Sequence, residues 1–196
     1  MIIATGLKDT LPSIQGIHQY YGKSLFSCPF CDGWEMRNRP LVIISENEHA
    51  FHMTKMLWNW SKDLVLCTNG KKVVSEEQKE MLRKNHINVI EEEISSLHGT
   101  NGHLEKIIFN NGMEIRREGG IIATSLTQSF SLIKTLGIKL NQQGGIETDN
   151  LGRTNIEGLY ACGDNTLEKP PQVVIAAAEG SKTASSVIAD LINEEF

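Results

Sequence analysis

Between Leu41 and Ile90 the chain alternates short apolar runs with helix-patterned stretches, and this alternation constrains its fold more than any single motif. Leu41–Ile44 is an unbroken apolar run, the signature of a strand covered on both faces. Ala50, Met53, Leu57 and Trp60 follow at helical spacing, with Asn47 placed to cap the helix. Asp63–Cys67 predicts a second strand, ended by Asn69-Gly70. Ser75-Glu76-Glu77-Gln78 has the form of a capping box for a helix through Lys84, and Asn88–Ile90 predicts a third strand. Strands separated by helices pair in parallel, because each crossover returns the chain to the same end of the sheet. Leu104–Phe109 and Met113–Arg116, joined by Asn110-Asn111-Gly112, predict an antiparallel hairpin attached to that sheet.

A second pattern is a repeat. Ile2-Ile3-Ala4-Thr5-Gly6 recurs almost unchanged as Ile121-Ile122-Ala123-Thr124-Ser125, which suggests two related units joined at equivalent strand exits. Beyond Ser125 the reading is a short helix over Ser131–Leu136 stopped by Gly137, a brief strand over Ile146–Asn150, and a buried strand over Leu159–Cys162 meeting Gly163-Asp164. Gln172–Leu191 predicts a long helix with an apolar face through Val173, Ala176, Ala177, Gly180, Ala184, Val187, Ile188 and Leu191.

At 196 residues the chain can bury one large core or two small ones. A net charge of −5 argues against nucleic acid or an anionic membrane as partner. No apolar run approaches the roughly 20 residues of a membrane span, and the first residues lack the pattern of a signal peptide. Four cysteines are too few and too scattered for a secreted disulfide scaffold, so the expected setting is the reducing cytoplasm.

Cys28-Pro29-Phe30-Cys31 is the strongest local signal. Two intervening residues let two thiols close a small ring, and such pairs exchange with disulfides through a mixed intermediate. Half a zinc site and two structural thiols are the other readings. Zinc needs two further ligands, and Cys67 and Cys162 each stand alone, so the expected metal content is none. Cys67 and Cys162 read as small buried hydrophobes. His49 and His52, three apart, have no third ligand and read as surface residues.

Ser27-Cys28-Pro29-Phe30-Cys31-Asp32-Gly33 resembles the active-site motif of low-molecular-weight thioredoxin reductases and their pyridine nucleotide-disulfide oxidoreductase relatives. With Trp34-Glu35 it is also similar to the dithiol oxidases of that superfamily. The resemblance implies an α/β fold: a Rossmann-like NAD(P)-type domain over residues 11–123, with a parallel sheet plus a β-hairpin. Residues 1–10 and 124–196 would flank it as a partial FAD-binding domain. It implies that Cys31 faces a flavin, that Cys28 exchanges with substrate, and that Asp32 is the acid–base group. Read alone, Asp32-Gly33 is equally a turn. Thr154–Asp164 resembles the family's second FAD signature, with Gly163 allowing close backbone approach and Asp164 reaching the cofactor. Gln172, with the backbone of Val173, would meet the flavin ring at a helix N-terminus. A plain strand–turn–helix is the other reading of the same residues.

The sequence also departs from the family. No Gly-x-Gly-x-x-Gly occurs, so the first FAD loop is expected to be absent from this chain. The NADPH loop falls on Ser45-Glu46-Asn47-Glu48-His49-Ala50, a degenerate form in which only Ala50 fits. Each carboxylate placed ~5 Å from a phosphate charge costs about 3 kcal/mol at an effective dielectric of ~20. The same residues also read as an ordinary capped helix start, and Lys71 and Lys72, placed where they could meet a 2′-phosphate, read rather as a solvated loop. The expectation is therefore disulfide reduction or dithiol oxidation through Cys28 and Cys31, with FAD by resemblance and NADPH doubtful. The substrate would be a disulfide or dithiol such as a thioredoxin-like protein, and the chain would pair as a homodimer or with another chain. A flavin-free exchange module and a non-catalytic binding or assembly subunit stay open.

Overall fold

The computed structural model describes residues 1–129, 133, 135–168 and 171–196, and the chain divides into two compact units. The first comprises Leu11–Ser125, and the second joins Met1–Thr10 to Leu126–Phe196.

The Leu11–Ser125 unit is built on five strands, β3 (Leu25–Phe26), β4 (Leu41–Ile44), β5 (Leu64–Cys67), β6 (Asn88–Ile90) and β10 (Gly119–Ile122). They run in the order β3-β10-β4-β5-β6, every neighbouring pair parallel. Helices α3 (Ala50–Leu57) and α4 (Glu76–Lys84) supply the crossovers from β4 to β5 to β6. A further sheet, β7 (Ile94–Thr100), β8 (His103–Phe109) and β9 (Glu114–Arg116), is antiparallel. The period of two sorts the strand residues between two cores. Leu41, Ile43, Leu64, Leu66 and Ile121 pack with Ala50, Met53, Leu57 and Leu82 of the helices. Val42, Ile44, Val65, Cys67 and Ile122 pack with Leu97, Leu104, Ile107 and Phe109 of the antiparallel sheet. This is why the strands read as unbroken apolar runs. Truncating a fully buried residue such as Leu66 to alanine costs about 3 kcal/mol.

Local signals and structure agree closely at α4. The Ser75 Oγ accepts from the Gln78 N–H at 3.2 Å, and the Gln78 Oε1 accepts from the Ser75 N–H at 3.0 Å. They differ at α3. Its N-cap is His49, and the Asn47 carboxamide instead accepts the His49 N–H at 3.0 Å, two residues too early to cap the helix. Strand β7 was not expected at all. Its pairing with β8 is bulged between Ile94 and Ser96 and between His98 and Gly99, and bulges erase the alternation by which a strand is read.

In the second unit β1 (Ile2–Ile3) pairs in parallel with β12 (Tyr160–Ala161) over a small core of Ile3, Ile138, Ile146 and Leu159. The repeated apolar strings are thus both parallel strands, β1 and β10. Each leads into a short strand, β2 (Leu7–Thr10) and β11 (Ser125–Gln128), and these two pair with each other. Ile146 is buried, but it forms only an isolated bridge with Leu140, so the expected strand over 146–150 does not form. The helix expected over 131–136 falls largely outside the described residues. Helix α5 (Val173–Glu195) is present, with a different inner face from the one expected. Thr183 and Ser186 are buried, whereas Val173, Ile188 and Leu191 are exposed. The helix docks through small residues and one ion pair. A Cβ at Gly152, which has φ +82°, would collide with Thr183, and Arg153 holds Asp190 through two bonds of 2.7 and 2.6 Å.

Candidate functional site

In the parallel sheet all five strands point their carboxyl ends to one edge, and the order reverses between β10 and β4. The chain leaves β3 into the cysteine pair and leaves β4 into Ser45–Ala50. With β10 alone between them, the two turns start about 10 Å apart at this edge, two strand spacings.

The turn after β3 places Cys28 at the N-cap of a single helical turn, α2 (Pro29–Asp32), with Pro29 in the first position. The Cys28 Sγ accepts the Cys31 N–H at 3.3 Å, and both thiols are free. The two sulfurs are not equivalent. The hydrogen bond from Cys31 to Cys28, then desolvation and the neighbouring charges of Cys28 and Asp32, push the Cys31 thiol up to about 11. Burial, with Glu35 adding to it, raises the Asp32 carboxyl above its ordinary value. Gly33 closes the turn with its N–H on the Pro29 carbonyl at 3.0 Å. A Cβ there would overlap the Pro29 oxygen and the Trp60 indole. Trp60 in turn meets Trp34 in a T-shaped pair with ring centroids 6.2 Å apart, and Arg37 lies 4.0 Å over the Trp34 ring. Phe30 and Trp34, beside the thiols, are 72 and 58 % exposed.

The turn after β4 spends its polar groups on itself. Ser45 is fully buried, with its N–H on the Cys67 carbonyl at 3.0 Å and its Oγ 3.3 Å from the Asn47 carboxamide oxygen. That oxygen takes the His49 N–H, one of the amides an incoming phosphate would use. The Glu46 carboxylate accepts from Asn69 at 2.5 Å, and the Asn69 carboxamide oxygen accepts the Ile94 N–H at 2.8 Å. Asn69 therefore ties the exit of β4 to the start of β7, a role its Asn-Gly turn signature did not reveal. Ala50 is fully buried under the sheet, so its small size serves helix packing. In this turn the His49 amide is already claimed and a carboxylate is fixed nearby.

In the other unit β12 leads through buried Cys162 to Gly163, whose φ of +80° suits glycine. Asp164 opens a 3₁₀ turn over Asp164–Thr166. The Gly163 N–H donates to Glu179 Oε2 on α5 at 2.9 Å, a partner the sequence did not suggest. Gln172 is the N-cap of the 23-residue α5 and makes no side-chain cap bond, while Val173 is 87 % exposed. The helix start thus has no side-chain cap and presents the apolar Val173 and Val174 to solvent. Asn165, fully buried, donates to the Ile3 carbonyl at 3.0 Å and leaves its Oδ1 without a partner. No group of three or more His, Cys, Asp or Glu side chains among the described residues is arranged to hold a metal. No described helix is long and apolar enough to cross a membrane.

The family described as pyridine nucleotide-disulphide oxidoreductase matches residues 1–180. A solved chain from Bacillus anthracis, described as a thioredoxin reductase, is 43 % identical with a TM-score of 0.93 and is matched over 100 % of this chain and 65 % of its own length. Helicobacter pylori thioredoxin reductase is 27 % identical, over 97 % of this chain and 65 % of its own length. Thioredoxin reductase aclD of Aspergillus oryzae is 25 % identical, over 100 % of this chain and 65 % of its own length. This chain thus spans somewhat less than two thirds of each of these relatives.

Proposed function

The chain belongs to the pyridine nucleotide-disulphide oxidoreductase family as a thioredoxin reductase-like member, and from that premise we propose that Cys28 and Cys31 exchange electrons with a disulfide or dithiol substrate. The observation that carries this reading is the asymmetry of the pair: one sulfur accepts an amide at a helical N-cap, while the other holds its proton up to about 11. In the reducing direction the Cys28 sulfur attacks a substrate disulfide. One substrate sulfur leaves as a thiol, as Asp32, whose carboxyl burial raises above its ordinary value, relays to it the proton that Cys28 gives up. Cys31 then attacks Cys28 while Asp32 relays its proton to the second substrate sulfur, which leaves as a thiol as the Cys28–Cys31 disulfide closes. Two electrons pass from the protein dithiol to the substrate, and the reverse sequence oxidises a dithiol.

FAD, when bound, supplies the store that accepts or returns those two electrons. On this reading the groups of this chain that hold it are Gly163, Asp164 and the α5 start at Gln172 and Val173, and the residues 1–10 and 124–196 are an FAD-binding unit beside an NAD(P)-type unit at 11–123. The Ser45, Asn47 and Ala50 positions do not hold NADPH. A thioredoxin-like protein is the proposed disulfide partner, because the exposed rings of Phe30 and Trp34 beside the thiols offer an apolar contact. Pairing with a second chain follows from the outward apolar residues of α5, and free thiols accord with the cytoplasm.

The test is the visible spectrum of the purified chain with FAD and then NADPH added, followed by a stoichiometric dithiol. The expected result is a flavin spectrum on adding FAD that the dithiol bleaches and NADPH does not. Rapid bleaching by NADPH overturns the nucleotide part of the reading. Thiol trapping at Cys28 with no flavin retained identifies a flavin-free exchange module instead.

A further inference from the structure

Helices α3 and α4 leave a groove between them that neither the cysteine pair nor the FAD-type turn uses. Its volume is about 370 Å³, within the ~300–1,000 Å³ of small-molecule sites. Phe51, Trp58, Met81 and Leu82 form its apolar floor, and Lys55 and Lys84 stand at its rim. No carboxylate lines it, although the chain carries 24 acidic residues against 19 basic ones. A third cation adjoins it, since Lys62 donates to the Trp58 carbonyl at 2.6 Å and lies 3.0 Å over the Trp58 ring. Lys55 lies 5.4 Å over the Phe51 ring. Among the described residues none of these three lysines is held in an ion pair, whereas Lys79 on the same helix as Lys84 is paired twice, with Glu76 and Glu91.

An apolar floor without acids and with unpaired cations at the edge selects one chemical class. We propose that this groove binds a small amphipathic carboxylate, a molecule with an aliphatic or aromatic body and one acid group. The body would cover Trp58 and Met81, removing apolar surface from water. The acid would meet Lys55 and Lys84, and its charge-assisted hydrogen bonds are roughly twice as strong as neutral ones. A neutral ligand forgoes those bonds, and a cationic one is repelled. The site is independent of the redox reading, since its residues belong to neither turn at the carboxyl edge of the sheet.

The test uses the full chain and three probes with one eight-carbon body: octanoate, 1-octanol and octylammonium. Titration is followed by calorimetry and by tryptophan fluorescence. Octanoate is expected to bind at least tenfold more tightly than 1-octanol, with octylammonium weakest. Trp58→Phe should remove most of the fluorescence response while leaving the calorimetric signal. The double variant Lys55→Glu with Lys84→Glu, both surface changes, should weaken octanoate at least tenfold and favour octylammonium. Met81→Asp should abolish all three. Equal binding of octanoate and 1-octanol, unchanged octanoate affinity in the double variant, or no saturable octanoate binding at millimolar concentration overturns the proposal. If Met81→Asp fails to fold, the lysine pair still decides.

Discussion

Two turns leave the same edge of one parallel sheet, and they differ in who receives their amide groups. After β3 the Cys31 N–H goes to a sulfur, and the surrounding rings of Phe30 and Trp34 stay open to solvent. After β4 the His49 N–H goes to the carboxamide of Asn47, Ser45 is fully buried, and Glu46 is fixed by Asn69. A strand-to-helix turn is a general device for presenting N–H groups. What it can bind is decided by whether its own side chains have taken them first.

The sharpest way to break this contrast is at the sulfur. Cys28→Ser should lower disulfide or dithiol turnover by about a thousandfold or more, since a lost nucleophile is not replaced, with the circular dichroism spectrum unchanged. Cys31→Ser should instead let the first exchange proceed and trap the mixed disulfide, visible by mass spectrometry. Retained turnover in Cys28→Ser would refute the assignment. The scaffold of the turn comes next. Gly33→Ala must force its new methyl against the Pro29 oxygen and the Trp60 indole, and should cost about 2 kcal/mol in a denaturant melt.

A subtler probe is the proton on Cys31. Its thiol is raised to about 11 chiefly by the hydrogen bond to Cys28, so Cys28→Ala should let it fall toward its ordinary value of 9.0. Below both values the thiolate fraction rises about tenfold for each unit by which the pKa falls, so alkylation of Cys31 at pH 8 should rise by about tenfold or more. The smallest expected effect is on the second turn. Glu46→Gly with Asn47→Gly frees the His49 amide and removes a fixed carboxylate. Calorimetry should then show NADPH binding strengthened severalfold. No change there would mean that Glu46 and Asn47 are not what keeps the nucleotide out.

The two turns also differ in how much of them could be read beforehand. The cysteine pair, the parallel strands, the hairpin and the Ser75–Gln78 capping box are local signals, each complete within a few residues. The departure of Ser45–Ala50 from a glycine loop was legible too, because glycines are either present or absent. What holds that turn was not: Asn69 lies 23 residues from Glu46 and 25 from Ile94, and its Asn-Gly signature speaks only of a bend. Strand β7 was hidden by its bulges. Helix α5 misled for a physical reason. Apolar periodicity finds a buried stripe only when large apolar residues make the contact, and here Thr183, Ser186 and the Arg153–Asp190 pair make it. The same pairing holds the Asp190 carboxyl down to about 2, led by the Arg153 hydrogen bonds. Its contribution is present above the ordinary carboxylate value of 3.8 and is lost as pH falls through about 2.

The four cysteines divide evenly, Cys28 and Cys31 facing outward and Cys67 and Cys162 sealed inside. Burial pushes the Cys67 thiol up to about 12 and raises that of Cys162, so neither is a nucleophile while the core is closed. The molecule therefore carries its own gauge of integrity. An alkylating pulse long enough to react with the protonated Cys31 as well adds two adducts to an intact copy and four to one that has opened. The ratio of the two masses in a spectrum counts the opened fraction directly, with no dye, tag or partner added.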